Sequence, residues 1–140
     1  MRYLDTSVVL SAANAQDPNH SKALELLKGG KNVVSELTIA ELYSVVSRVV
    51  GVPGEELDAL VEYMVEASGA HLIRVGWSDV FRRAYVMAGE LKLKTLDLLH
   101  VSAALVMKAR EFVTLDKEII GRGSVVERLT GVRVVPSQER

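Results

Sequence analysis

Two spacings of apolar residues alternate along this chain and predict its elements. Short apolar stretches at 2–5, Asn32–Ser35, His71–Val75, Phe112–Thr114 and Val132–Val135 have the length of strands rather than helices. Between them the spacing becomes helical. Residues 6–14 open on Thr6-Ser7, side chains that suit a helix start. Asp17-Pro18-Asn19 is a turn, and His20–Lys28 then places Ala23, Leu24 and Leu27 at helical spacing before Gly29-Gly30. Thr38–Val50 sets Leu42, Val45, Val46 and Val49 on one face and is stopped by Gly51 and Pro53. A further helix starts at Pro53-Gly54-Glu55-Glu56 and runs to Ala67, with Leu57, Leu60, Val61, Met64 and Val65 apolar. Ser78-Asp79 starts the next, which continues through Phe81, Tyr85, Val86 and Met87. Leu96–Ala109 is apolar all round and reads as a buried central helix.

Strands alternating with helices predict βαβ units, hence an α/β fold with a mostly parallel sheet and helices on both faces. The 140 residues suit one domain over 1–140, and 49% hydrophobic content supplies a substantial core. No run approaches the roughly 18 apolar residues of a membrane span, and Asp5 interrupts the first apolar run where a secretory signal would need continuity. With no cysteine, disulfides, thiolate metal sites and cysteine nucleophiles are excluded. A cytoplasmic protein with no membrane association is expected. The net charge of −1 does not suit a protein that coats nucleic acid, although it leaves room for a local basic groove.

Candidate chemistry enters with four acids, Asp5, Glu41, Asp97 and Asp116, each in an apolar local setting. A carboxylate so placed is costly unless it is paired, hydrogen-bonded or bound to a cation. Asp5 ends the first strand, and Asp116 follows the Phe112–Thr114 strand. Glu41 and Asp97 lie near helix starts. In an open α/β sheet strand ends and helix starts share one edge, so the four can meet there. Together they would repel strongly, and a divalent cation is the simplest remedy. Hard cations such as Mg²⁺ and Mn²⁺ prefer such oxygens. They lower the pKa of a bound water and neutralise phosphate charge, which suits phosphodiester hydrolysis without a protein nucleophile.

The segments Leu4-Asp5-Thr6-Ser7, Ala40-Glu41-Leu42, Leu96-Asp97-Leu98-Leu99-His100-Val101-Ser102-Ala103-Ala104 and Val113-Thr114-Leu115-Asp116 together resemble the PIN-domain family. The chain length is similar to that of the single-domain VapC-type toxins of VapBC toxin–antitoxin systems. This resemblance implies an α/β/α sandwich and an Mg²⁺- or Mn²⁺-dependent ribonuclease. By position, Asp5, Glu41, Asp97 and Asp116 would form its metal-binding quartet, with Thr6 and Thr114 supporting the first and last acids. Asp5 and Asp97 would be direct ligands, and Glu41 and Asp116 would complete the site or act through water. The resemblance also implies a homodimer and an antitoxin peptide in the groove.

Each acid has a plainer reading beside this one. Asp5 can cap the helix after it, Asp97 or Thr95 can cap the central helix, and Glu41 and Asp116 can be solvated first-turn acids. His100, one helical step from Asp97, could touch substrate or act near the metal; its plainer and favoured reading is a satisfied, partly buried side chain. Lys94, Lys92 and Arg48 are the candidates for RNA contact, with a solvated face as their default. A non-catalytic PIN-like module that binds RNA or protein is the alternative to an enzyme. A haloacid-dehalogenase-like phosphatase wants a second acid where Ser7 stands, and a response-regulator receiver wants paired acids near the first strand.

Overall fold

The computed structural model describes residues 1–138; Glu139 and Arg140, the last two of the expected 1–140 domain, lie outside the described residues. Five strands, β1 (Arg2–Leu4), β2 (Asn32–Val34), β3 (His71–Leu72), β4 (Glu111–Val113) and β5 (Arg133–Val135), form one sheet in the order β3-β2-β1-β4-β5. Every pairing is parallel. The helices are α1 (Thr6–Ala13), α2 (His20–Leu27), α3 (Glu36–Val49), α4 (Gly54–Ala67), α5 (Trp77–Leu91), α6 (Thr95–Val106), α7 (Lys117–Gly121) and α8 (Gly123–Thr130).

The chain builds outward from β1 to β2 and β3, then returns to place β4 on the other side of β1. Because crossover connections keep one hand, this reversal puts the later helices on the opposite face of the sheet. The strand pleat records the two faces. Leu4, Val34 and Val113 pack with Val8, Val9, Ala23, Leu42 and Val61 from α1–α4. Their neighbours Tyr3, Val33, Phe112 and Val134 pack with α5, α6, Ile119 of α7 and Val126 of α8. Tyr3 stacks on Phe112 with ring centroids 5.4 Å apart. The result is the expected three-layer α/β/α sandwich.

Most element boundaries follow from local chemistry. The helix expected at Thr38 starts at Glu36, because Ser35 is its N-cap and Thr38 the third helical residue, forming a capping box. Strand β3 is shorter than His71–Val75 because it is an edge strand whose partner ends at Val34; the last link is Ile73 N–H to Val34 O. The α6 helix stops before Ala109 because Lys108 turns left-handed, at φ 60°. Its stretch Leu99–Ala104 is buried throughout, whereas Leu96 at its start is 45% exposed. On α5 the buried residues are Val80, Ala84, Met87 and Leu91; Tyr85 and Val86 face outward. Over 117–130, where α7 and α8 stand, the sequence offered only a helix start at Asp116, as that acid's plainer reading. The five residues of α7 are too few for a period, whereas Val125, Val126 and Leu129 of α8 do stand at helical spacing.

The opposite end of the sheet from the acids is tied by a buried cation. Arg2, 7% exposed, gives Nε to Glu111 Oε1 (2.8 Å) and Nη1 to Leu26 O and Asn32 Oδ1. Its guanidinium therefore joins β1, β2, β4 and the end of α2, and Gly29 leaves it room: a Cβ there would lie 2.4 Å from its Cζ. Arg2→Ala leaves Glu111 with Arg133 alone and orphans two buried acceptors. It is expected to lower unfolding free energy by about 3 kcal/mol in urea titration. A loss below about 1 kcal/mol, the level of a surface pair, would show that this junction is not buried in effect.

Candidate active site

The site lies where the order of the sheet reverses. The adjacent strands β1 and β4 end there, at the position where open α/β sheets bind ligands. Asp5 immediately follows β1, and its N–H continues the ladder to Val113 O at 2.8 Å. Thr114 immediately follows β4.

Asp5 is 5% exposed, and three donors make its burial tolerable. Its Oδ1 accepts the Thr6 N–H (2.9 Å) as the N-cap of α1; its Oδ2 accepts Ser7 Oγ (3.0 Å) and Thr114 Oγ1 (2.7 Å). The capping reading and the site reading thus describe one carboxylate. Burial still pushes its pKa upward, against the nearby His100 and the hydrogen bonds from Thr114 and Ser7.

Two threonines stitch the acids together. Thr6 gives its N–H to Asp5 and its hydroxyl to Glu41 Oε1, at 3.0 Å. Thr114 donates to Asp5 and accepts the Asp116 N–H at 3.0 Å. Asp116 is also the N-cap of α7, its Oδ1 accepting the Glu118 N–H at 2.8 Å. Glu41, one turn into α3, receives a second donor at Oε1, the Nε2 of His100. Burial alone would raise the Glu41 carboxyl, but the His100 bond and charge, with Thr6, outweigh it and hold the pKa below the ordinary value.

Asp97 differs from the other three. The N-cap of α6 is Lys94, so Asp97 is in the first turn rather than capping, and among the described residues its carboxyl makes no hydrogen bond. Its pKa is pushed up to about 6, by burial first and then by the charges of Asp5 and Asp116, with Glu41 adding to them. All four acids therefore stand in one another's field. Among the described residues no three His, Asp or Glu side chains converge tightly enough to make a ready-made metal cage. The donor set is hard and anionic but open, which fits a cation that keeps part of its water shell better than one that is fully stripped.

The candidate cations do not join this cluster. Lys92 and Lys94 flank it in the exposed loop before α6, with Lys92 left-handed at φ 53°. Arg48 is exposed two turns down α3 from Glu41, about 10 Å along the axis. Tyr3 and His100 take part besides the acids and threonines, His100 expected as only partly buried. His100 is fully buried, with Nδ1 at 2.5 Å from the Tyr3 hydroxyl, and that hydroxyl is 2.7 Å from Ser35 Oγ. A tyrosine in a fully buried strand is the signal that its hydroxyl has a polar partner beneath the sheet.

The family model for the PIN domain matches residues 2–123. The chain belongs to the PIN domain family. Solved structures with this fold include VapBC2 from Rickettsia felis bound to a DNA fragment from its promoter, at 21% identity and TM-score 0.66, covering 96% of this chain and 97% of that one. VapC20 from Mycobacterium tuberculosis, a Sarcin-Ricin loop cleaving toxin, matches at 13% identity and TM-score 0.68 over 88% of this chain and 95% of that one. VapBC-1 from nontypeable Haemophilus influenzae matches at 20% identity and TM-score 0.64, covering 96% of each chain. At these identities the likeness is one of fold. No curated protein matches the sequence.

The unrelieved charge on Asp97 of this PIN domain carries a stability cost with a definite pH window. A raised folded-state carboxyl pKa means the native state holds a proton that the unfolded chain has released. The cost is absent below about pH 4 and complete above about pH 6. Without divalent cations, Asp97→Asn is expected to gain about 1 kcal/mol over the native chain at pH 7, a figure reduced for solvent screening, and nothing at pH 4. Urea unfolding at the two pH values checks this, and a gain that is equal at both would assign it to something other than charge.

Proposed function

We propose that this chain is a divalent-cation-dependent endoribonuclease of the VapC type, the toxin of a toxin–antitoxin pair, acting on RNA in the cytoplasm. The observation that carries the reading is Asp97, a carboxyl with no hydrogen-bond partner among the described residues, its pKa raised by burial first and then by the acids around it, at the switch point of the sheet. The likeness in fold to VapC20, described as a Sarcin-Ricin loop cleaving toxin, agrees with it.

Asp5, Asp97, Glu41 and Asp116 would hold Mg²⁺ or Mn²⁺, with Asp97 and Asp5 as direct ligands. A bound cation would supply an activated water and charge neutralisation at the scissile phosphate. The chain's own part is to hold the oxygens in place. Asp5 is fixed by three donors and retains acceptor capacity at Oδ1, while Asp97 has its whole carboxyl free. Thr6 and Thr114 hold the acids in register. Lys94 and Lys92, exposed beside the start of α6, are placed to meet the RNA backbone, and Arg48 lies farther out along α3.

Partners of two kinds fit the surface. A groove of about 410 Å³ between α1, α3 and α4 is lined by Leu10, Val45, Val49, Leu60, Tyr63 and Met64, with Val49 78% and Tyr63 61% exposed. Such a patch suits an apolar segment of an antitoxin, and the outward Tyr85 and Val86 of α5 suit a second copy in a homodimer. Three of the structures that share the fold are toxin–antitoxin assemblies by name. Among the described residues no helix is long and apolar enough to cross a membrane.

The non-catalytic module keeps one observation in its favour, the lack of a ready-made three-ligand cage. Cleavage separates the two readings. With Mg²⁺ or Mn²⁺ the native chain is expected to cut a mixed structured and single-stranded RNA pool, EDTA to stop it, and Asp97→Asn to lose about 100-fold or more. Asp97 is the acid of choice because no donor is stranded by its replacement. A folded native chain that leaves several RNA classes intact would favour the binding module.

A further inference from the structure

His100 has no place in the reading above, yet its contacts are directed. Its Nε2 faces Glu41 Oε1, a carboxylate oxygen that can only accept, so Nε2 carries a hydrogen whichever protonation state the ring has. Thr6 Oγ1 donates to the same oxygen at 3.0 Å. Among the described residues Oε2 of Glu41 accepts nothing. One oxygen is thus saturated by two protein donors while the other is left open, and the side chain is only half-buried.

Behind the ring the support continues. Nδ1 is 2.5 Å from the Tyr3 hydroxyl, the two rings lie T-shaped with centroids 5.6 Å apart, and Tyr3 is itself held by Ser35 Oγ and stacked on Phe112. Burial pushes the Tyr3 phenol far above its ordinary range, so it keeps its proton. Ser35 is the N-cap of α3, the helix that carries Glu41. The contacts therefore close on themselves: Glu41, His100, Tyr3, Ser35 and back through α3. Such a loop fixes a side-chain plane, which a single hydrogen bond does not.

We propose that His100, locked by Tyr3, is a positioning residue that occupies Oε1 of Glu41 and so aims Oε2 at the cation. This rests on the reading of the acids as a cation site. Loss of an outer-shell partner of a metal ligand typically weakens metal affinity about 10- to 100-fold.

The test is calorimetric titration of the purified chain with Mn²⁺ alone, with thermal melts to confirm folding. His100→Leu removes the donor, His100→Gln retains an N–H, and Tyr3→Phe leaves Glu41's contacts intact but unlocks the ring. The expected result is a Kd raised about tenfold in His100→Leu, largely restored in His100→Gln, and raised less in Tyr3→Phe. At saturating Mn²⁺, kcat on RNA falls in His100→Leu while KM for RNA stays, because the ring touches no substrate. Native binding matched by a folded His100→Leu overturns the proposal and leaves the cation site standing. A native chain that binds no Mn²⁺ removes both. Should His100→Leu not fold, an unchanged Kd in Tyr3→Phe overturns the proposal.

Discussion

Like charges confined to one edge of a parallel sheet are the constraint on which the rest of this molecule turns. Four carboxylates share one rim because the sheet reverses its order between β1 and β4, where strand ends and helix starts are brought together. Each acid then needs a counterweight. Asp5 has a helix N-terminus and two hydroxyls, Glu41 has His100 and Thr6, and Asp116 has the start of α7. Asp97 is left without one, and its raised pKa measures the deficit. Under the proposed reading, a divalent cation would meet that deficit and supply chemistry in the same place.

The layers exist to hold this rim still. The pleat sends Leu4 to one core and Tyr3 to the other, so the strand preceding Asp5 is clamped from both faces of the sheet. Tyr3 then turns its hydroxyl toward the acids, through His100, from beneath. At the far rim Arg2 draws β1, β2 and β4 together, so the strand that presents Asp5 is anchored at both ends. An exposed loop with Lys92 and Lys94 and the apolar outer faces of α3, α4 and α5 lie outside this frame, where contacts can vary without moving the acids.

The five strands, six of the helices and the parallel α/β layout were legible in the sequence, because each rests on a periodicity that burial enforces. The acids were legible as an ordered set, since an isolated carboxylate among apolar neighbours is rare without a reason. What escaped has common physical causes. Helix α7, at five residues, is too short to show a period, and α8 follows it across Gly121 and Gly123, although Val125, Val126 and Leu129 do stand at helical spacing. The start of α3 at Glu36 depends on Ser35, whose capping role is visible only when Thr38 answers it. His100 was read as a satisfied buried ring, and it is one, but its partners Tyr3 and Glu41 are distant in the chain and no local pattern joins them. Arg48 was read from helix periodicity alone, which sets a face but not how far along the axis the site extends.

The most direct measurement is an anomalous difference map from a crystal of the native chain grown with Mn²⁺. A peak among Asp5, Glu41, Asp97 and Asp116, approached by Oε2 of Glu41 and the carboxyl of Asp97, is the result this account predicts. A well-ordered map with no peak at that rim, at an Mn²⁺ concentration that other sites on the molecule do bind, would contradict it.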